Sequence, residues 1–348
     1  MPPSRVVGIL VGGARGDKGG ARPIPTVGKG GWQAGARHIR GSSTFSSPVK
    51  MVRMTNASLA AVVVLAVELV PAVAFGFRSE QVTRLVGGWP PVLRLAAPGL
   101  LVIPYAGLAL SQHMFRWEWF GLYLLLPVAM AWLLEQAAAA DPEQRGEWRD
   151  ALILLTLGLA VDLRWFDSAW PAGQRGLGNL LLVNAGLYGF LAIRRLSGTG
   201  FDFHLRRSDW TTGLRELLFF TPVVLVLGLG LGFIHPHANW PPIGKAALTW
   251  GMIFIFVAVA EELFFRAWVQ NLLERRVGRR AALLIASMLF GLSHFNKRNP
   301  AGQHFNWHYV LIATIAGIFY GRAWRERRRV PASTITHTFV DWLWTFWF

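Results

Sequence analysis

The chain contains no cysteine, so disulfides, thiolate nucleophiles and cysteine-ligated metals are all excluded. Charge is scarce as well: 16% of the residues are Asp, Glu, Lys or Arg, against about 25% in a typical soluble domain. Acid is scarcer still, with 19 Asp and Glu against 35 Lys and Arg. No run alternates as the strands of a membrane barrel do. Several catalytic signatures are missing too. There is no His-Glu-x-x-His zinc motif, Ser293 lacks the Gly-x-Ser-x-Gly elbow, and no apolar run carries the Gly-Asp pair of an intramembrane aspartyl enzyme.

What fills the chain instead is apolar. Hydrophobic residues make up 53% of it, with 17 Trp, and they gather in runs of membrane length. The expected fold is all-α, a polytopic transmembrane helix bundle of about eight to ten spans. Spans are expected near 57–76, 96–111, 118–136, 177–193, 214–234, 247–270, 281–295, 308–321 and 331–348, with 150–166 interfacial or re-entrant because Asp162, Arg164 and Asp167 crowd its end. Three segments follow: a basic extension at 1–53, helices over 54–240, and core helices over 241–348. The first holds nine Lys and Arg against Asp17 alone, and eleven Gly. That composition cannot bury a core; it is expected to be disordered, with Met51 or Met54 as the preferred start. The remaining basic residues sit mostly in short loops, notably Arg194, Arg195, Arg206 and Arg207, then Arg275, Arg276, Arg279 and Arg280, then Arg322, Arg325, Arg327, Arg328 and Arg329. They alternate with loops poor in Lys and Arg, a pattern of membrane orientation that puts the basic loops in the cytoplasm. It accounts for the net charge of +16 without nucleic acid.

One run breaks the apolar rule. Residues 247–270 carry Glu261, Glu262 and Arg266, although a charge at mid-bilayer costs about 2.5–3.5 kcal/mol on insertion scales. Glu262 and Arg266 are i,i+4 neighbours and can pair. Glu261 points about 100° away and needs polar company from another helix. Two later runs offer it. With about 1.5 Å of rise per residue, Glu261 is expected about 14 Å from the cytoplasmic end of its run, His294 about 20 Å, and His337 and Asp341 about 9 and 15 Å. Intramembrane charges matched in depth are functional-site candidates. A carboxylate and an imidazole sharing one water can take its proton and return it to a leaving amine, and a second His can hold an oxyanion. Peptide-bond hydrolysis fits that inventory.

Each motif has a plainer reading. Glu-Glu-x-x-x-Arg is commonly a surface ion pair, a single His after Phe290 a core histidine, and His337 with Asp341 a helix-stabilising pair. His304 and His308 have i,i+4 spacing that could hold a metal on a helix, although interfacial placement accounts for them. Gly317 and Gly321 read as close helix packing, and Trp342, Trp344 and Trp347 as an aromatic belt. Glu68 is a second intramembrane acid with no motif around it.

Taken in order, Glu261-Glu262-x-x-x-Arg266, Phe290-x-x-x-His294 and His337-x-x-x-Asp341 on separate runs resemble the CPBP family (CAAX prenyl protease and bacteriocin-processing proteins, also called Abi) of intramembrane glutamic endopeptidases. Gly317-Ile-Phe-Tyr-Gly321 and Pro331-Ala-Ser-Thr-Ile-Thr-His337 extend the resemblance over about 245–348. It implies Glu261 as general base sharing a water with His294, an oxyanion side from His337 and Asp341, and Glu262, Arg266 and Phe290 in support. It also implies no cofactor and no required metal. Asp341 stands where the family often has Asn; an ionised Asp cannot donate a hydrogen bond, so Asp341 is either protonated or orients His337. The expected partners are membrane lipids and a membrane-anchored protein or peptide substrate, and the expected location is a bacterial inner membrane. The alternatives are a non-catalytic membrane module that binds a partner or confers bacteriocin immunity, and a metal-dependent membrane hydrolase or transporter built on His294, His337, His304 and His308.

Overall fold

The computed structural model describes residues 56–297 and 305–348. The expected disorder of 1–53 and the placement of His304 lie outside the described residues. Among these, no strand occurs and ten helices follow in chain order: α1 (Asn56–Gly87), α2 (Pro91–Ser111, with one 3-10 turn), α3 (Trp117–Ala140), α4 (Trp148–Asp162), α5 (Gly176–Ile193), α6 (Arg207–Gly230), α7 (Ile243–Val277), α8 (Arg279–Leu292), α9 (Trp307–Arg327) and α10 (Val330–Trp347). Six of them, α1, α2, α3, α5, α6 and α7, are long and apolar enough to cross a membrane. This is an integral membrane bundle.

The runs at 281–295, 308–321 and 331–348 are helices as expected, yet none passes that test. α8 has only fourteen residues, a length of about 21 Å. Its end is set by side chains: Ser293 Oγ and His294 Nδ1 both turn back onto the Phe290 carbonyl, at 2.8 and 2.9 Å. Such local bonds compete with helix continuation, and His294 sits in the turn after α8. α4 has fifteen residues, also short of the roughly 20 that a span needs.

α7 joins two apolar cores. On one flank Trp268 stacks on Phe190 of α5 at 5.0 Å, part of the larger core that α1–α5 build. On the other, Phe265 meets Phe290 of α8 edge-on at 5.1 Å, within a smaller core that includes Phe220, Ala313, Ala316 and Tyr320. α8 lies along α9, and α10 packs against α6, α9 and α7. Gly317 permits the close approach of α8 and α9, since a Cβ there would stand 3.1 Å from Ser287 and 3.3 Å from Phe290.

Buried arginines tie the basic end of the bundle. Arg194, 2% exposed, binds Asp141 at 2.7 Å and Asp150 at 3.0 Å. Arg329 binds Asp209 and Asp202, both at 2.7 Å, and holds the start of α10 to the segment before α6. Glu68 is buried on α1. Asn184 donates to its backbone carbonyl at 2.7 Å, while neither carboxylate oxygen has a hydrogen-bond partner among the described residues.

Candidate active site

The site begins with an irregularity in α7. Glu261 and Glu262 occupy one α-helical turn, Val259–Glu262, between two π-helical segments, Phe254–Ala258 and Leu263–Gln270. π-bulges inside α-helices are frequent at functional sites. Nothing in the apolar pattern of 247–270 marks them. α7 also runs on to Val277, so Glu261 lies about 24 Å from that end, nearer the middle of the helix than the expected 14 Å.

Glu262 and Arg266 pair as expected, Arg266 Nε donating to Glu262 Oε2 at 2.9 Å with both side chains wholly buried. The other two guanidinium nitrogens have no hydrogen-bond partner among the described residues. They are held by aromatic faces instead, with the guanidinium carbon 5.2 Å from the Phe290 ring centre and 6.0 Å from that of Tyr320, inside the range of a cation–π contact.

The second oxygen of Glu262 makes a contact that no spacing in the chain marks. His337 Nδ1 stands 2.9 Å from Glu262 Oε1. A carboxylate only accepts, so Nδ1 carries the proton and points it at Glu262. The other edge of the ring then faces the remaining acids, with Nε2 3.8 Å from Glu261 Oε2 and 3.6 Å from Asp341 Oδ2. Neither distance is a hydrogen bond. Tyr320 stacks on the His337 ring at 4.6 Å and 17°, fixing its plane. Thus Arg266, Glu262, His337, Glu261 and Asp341, from two helices far apart in sequence, form one connected polar group. Glu261 is its accessible member on α7, 34% exposed at the side chain against 0% for Glu262.

His294 approaches from the turn after α8. Its Nδ1 lies 2.9 Å from the Phe290 carbonyl; a carbonyl can only accept, so Nδ1 is again the donor. Phe290 touches both imidazoles, with ring centres 4.9 Å from His294 and 5.6 Å from His337. Tyr309 of α9 packs on His294 at 4.7 Å, and Trp344 of α10 packs on Tyr309 at 5.1 Å. The structure therefore brings Glu261, Glu262, Arg266, Phe290, His337 and Asp341 together, with His294 joined to them through Phe290. Tyr309 and Tyr320 are neighbours that the sequence analysis missed, although Tyr320 lies inside the Gly317–Gly321 motif. His308 is exposed in the first turn of α9. Among the described residues no group of three or more His, Asp or Glu side chains is placed to hold a metal ion.

No curated protein and no solved structure matches the chain. A family model does: residues 243–343 match type II CAAX prenyl endopeptidase Rce1-like proteins. The matched stretch begins at α7, includes every candidate residue from Glu261 to Asp341, and leaves residues 1–242 outside it. The protein is thus an integral membrane protein whose residues 243–343, from the start of α7 into α10, are similar to type II CAAX prenyl endopeptidase Rce1-like proteins.

Proposed function

We propose that the protein is an intramembrane endopeptidase that hydrolyses a peptide bond of a membrane-anchored or lipidated protein, or of a precursor peptide, in a bacterial inner membrane. The observation that carries this reading is the convergence of the Glu261 and Asp341 carboxylates on His337 Nε2, with His294 joined to them through Phe290. His294 has its Nδ1 committed to the Phe290 carbonyl, and His337 has its Nδ1 committed to Glu262. Polar groups separated by more than about 3.5 Å can be bridged by a water.

In the proposed reaction Glu261, with His294, removes a proton from a water as the oxygen bonds to the scissile carbonyl carbon. The carbonyl oxygen becomes an oxyanion. His337, an imidazolium held among the carboxylates of Glu262, Glu261 and Asp341, donates its Nε2 hydrogen to that oxygen. Collapse breaks the C–N bond, and the proton on Glu261 passes to the leaving amine. Asp341 orients and balances His337 in this scheme and is no oxyanion donor, which suits an Asp in place of Asn. The match to a prenyl endopeptidase family supports a lipidated substrate. The test is a processing assay on a prenylated CAAX peptide, with Glu261→Gln and His294→Ala in stably inserted protein. Loss of an acid–base group lowers the rate by about 10²–10⁴-fold. Undiminished cleavage by either variant removes the role assigned to that residue, and absence of cleavage by the parent protein itself would indicate a non-catalytic partner-binding module.

A further inference from the structure

A second polar site lies away from the acids and imidazoles, at the basic end of the bundle. A groove of about 460 Å³ is lined by Arg145, Arg275 and Arg276. It opens between the last turn of α7 and the turn leading into α4. Arg275 donates to the carbonyls of Gln144 and Ser197, and to the Gln144 and Ser197 side chains. Arg276 donates to the Gly146 carbonyl. Neither has a carboxylate partner among the described residues. Of the nearby acids, Asp141 and Asp150 are taken up by Arg194 and Glu274 by Arg328; Glu143 pairs with Arg145 of the groove itself at 2.6 Å. Three guanidiniums thus share a groove with one exposed counter-charge, and Nη1 of Arg276 has no hydrogen-bond acceptor among the described residues. Such a groove favours an anion with several acceptor oxygens, and Arg suits phosphate through paired N–H donors.

What lies beside the groove decides which anion. α4 begins next to Gly146, and its residues Trp148, Leu152 and Leu155 are 59%, 40% and 58% exposed. Their i, i+4, i+7 spacing puts them on one helix face. Trp148, two residues after the Gly146 whose carbonyl Arg276 binds and with the Arg149 guanidinium 4.6 Å from its ring centre, has the residue type of a headgroup-level anchor. A free phosphate would use the arginines and leave this stripe idle. We propose that the groove is a binding site for an anionic glycerophospholipid, its phosphate on Arg145 and Arg276 and an acyl chain along Trp148, Leu152 and Leu155. This site does not depend on the hydrolytic reading.

The test uses the full chain in an uncharged detergent, titrated with phosphatidylglycerol, phosphatidylcholine or inorganic phosphate while bound lipid is counted by native mass spectrometry. Phosphatidylglycerol should bind at least about tenfold more tightly than phosphatidylcholine. Each juxtamembrane arginine contributes about fivefold, so the Arg145→Gln, Arg276→Gln double variant should weaken phosphatidylglycerol about thirtyfold, while Arg207→Gln, an exposed arginine at the start of α6, should not. If the double variant does not fold, Arg145→Gln alone, whose side chain is 73% exposed, should weaken binding about fivefold. Equal binding of the two lipids, indifference to the substitutions, or displacement of phosphatidylglycerol by equimolar inorganic phosphate would each overturn the proposal.

Discussion

Pairing Glu262→Leu with Arg266→Met probes the centre of the site, because the two side chains are wholly buried and hold each other at 2.9 Å. Removing one partner of a buried ion pair costs about 3–5 kcal/mol, since it strands the other charge. Arg266→Met should fall at the lower end of that range, because Glu262 keeps its bond to His337 Nδ1. Glu262→Leu should be worse. It strands a guanidinium that already has two nitrogens without hydrogen bonds, and it orphans His337, for about 1–3 kcal/mol more. The Phe290 and Tyr320 faces return only about 1–2 kcal/mol to the stranded cation. In the double variant no unpaired guanidinium remains, so only the orphaned His337 counts. The double variant should therefore be more stable than Glu262→Leu alone by about 2 kcal/mol or more. Reversible unfolding in mixed micelles, followed by circular dichroism, measures all four proteins. If the two single losses simply add, or if the second substitution destabilises further, the buried pair is not the structural centre proposed here.

Tyr309→Phe keeps the ring that packs on His294 and Trp344 and should leave CAAX-peptide cleavage within about twofold of the parent, while Tyr309→Ala should cost about 3–5 kcal/mol of stability and much of the activity; equal damage from both would mean that the hydroxyl matters more than the wall. Gly317→Ala should destabilise by about 1–3 kcal/mol, because its Cβ would crowd Ser287 and Phe290, whereas Gly230→Ala, with nothing within 4 Å, should not destabilise in the same unfolding measurement. At the basic end, burial pushes the Asp202 carboxyl up, but its bonds to Arg329 and His204 outweigh that and hold it below its ordinary value. A lowered folded value gives stability that is present above the unfolded value of about 3.9 and lost as pH falls through the folded one. Asp202→Asn should therefore be less stable than the parent near neutral pH, with the gap closing below about pH 4; a gap that stays constant down to about pH 3 would exclude the linkage.

The helical class and the Glu262–Arg266 pair were legible because both follow from spacing along one helix. So was the shared face of His337 and Asp341. What escaped the sequence depends on other helices or on backbone irregularity. The oxygen of Glu262 that Arg266 leaves free binds His337, and an i,i+4 argument cannot see a partner on another helix. The π segments of α7 have no compositional mark among apolar residues. His294 was placed inside a span because the apolar run continues past it, although Ser293 and His294 end the helix by bonding back to Phe290. Arg194 and Arg329 were counted as loop charges that set orientation; they are buried and bound to carboxylates, so their charge is spent inside the protein.

None of α8, α9 or α10 is among the helices apolar enough to cross a membrane by length and composition, yet they supply Phe290, Tyr309, His337 and Asp341. Their polar residues would meet hydrocarbon if these helices entered lipid singly. During synthesis from the N terminus, the six greasier helices are made first and can form a scaffold against which the last three are stowed. Docking of this carboxy-terminal fifth against α6 and α7, where α10 packs, predicts that lesions in those two helices leave the tail exposed to quality-control proteolysis.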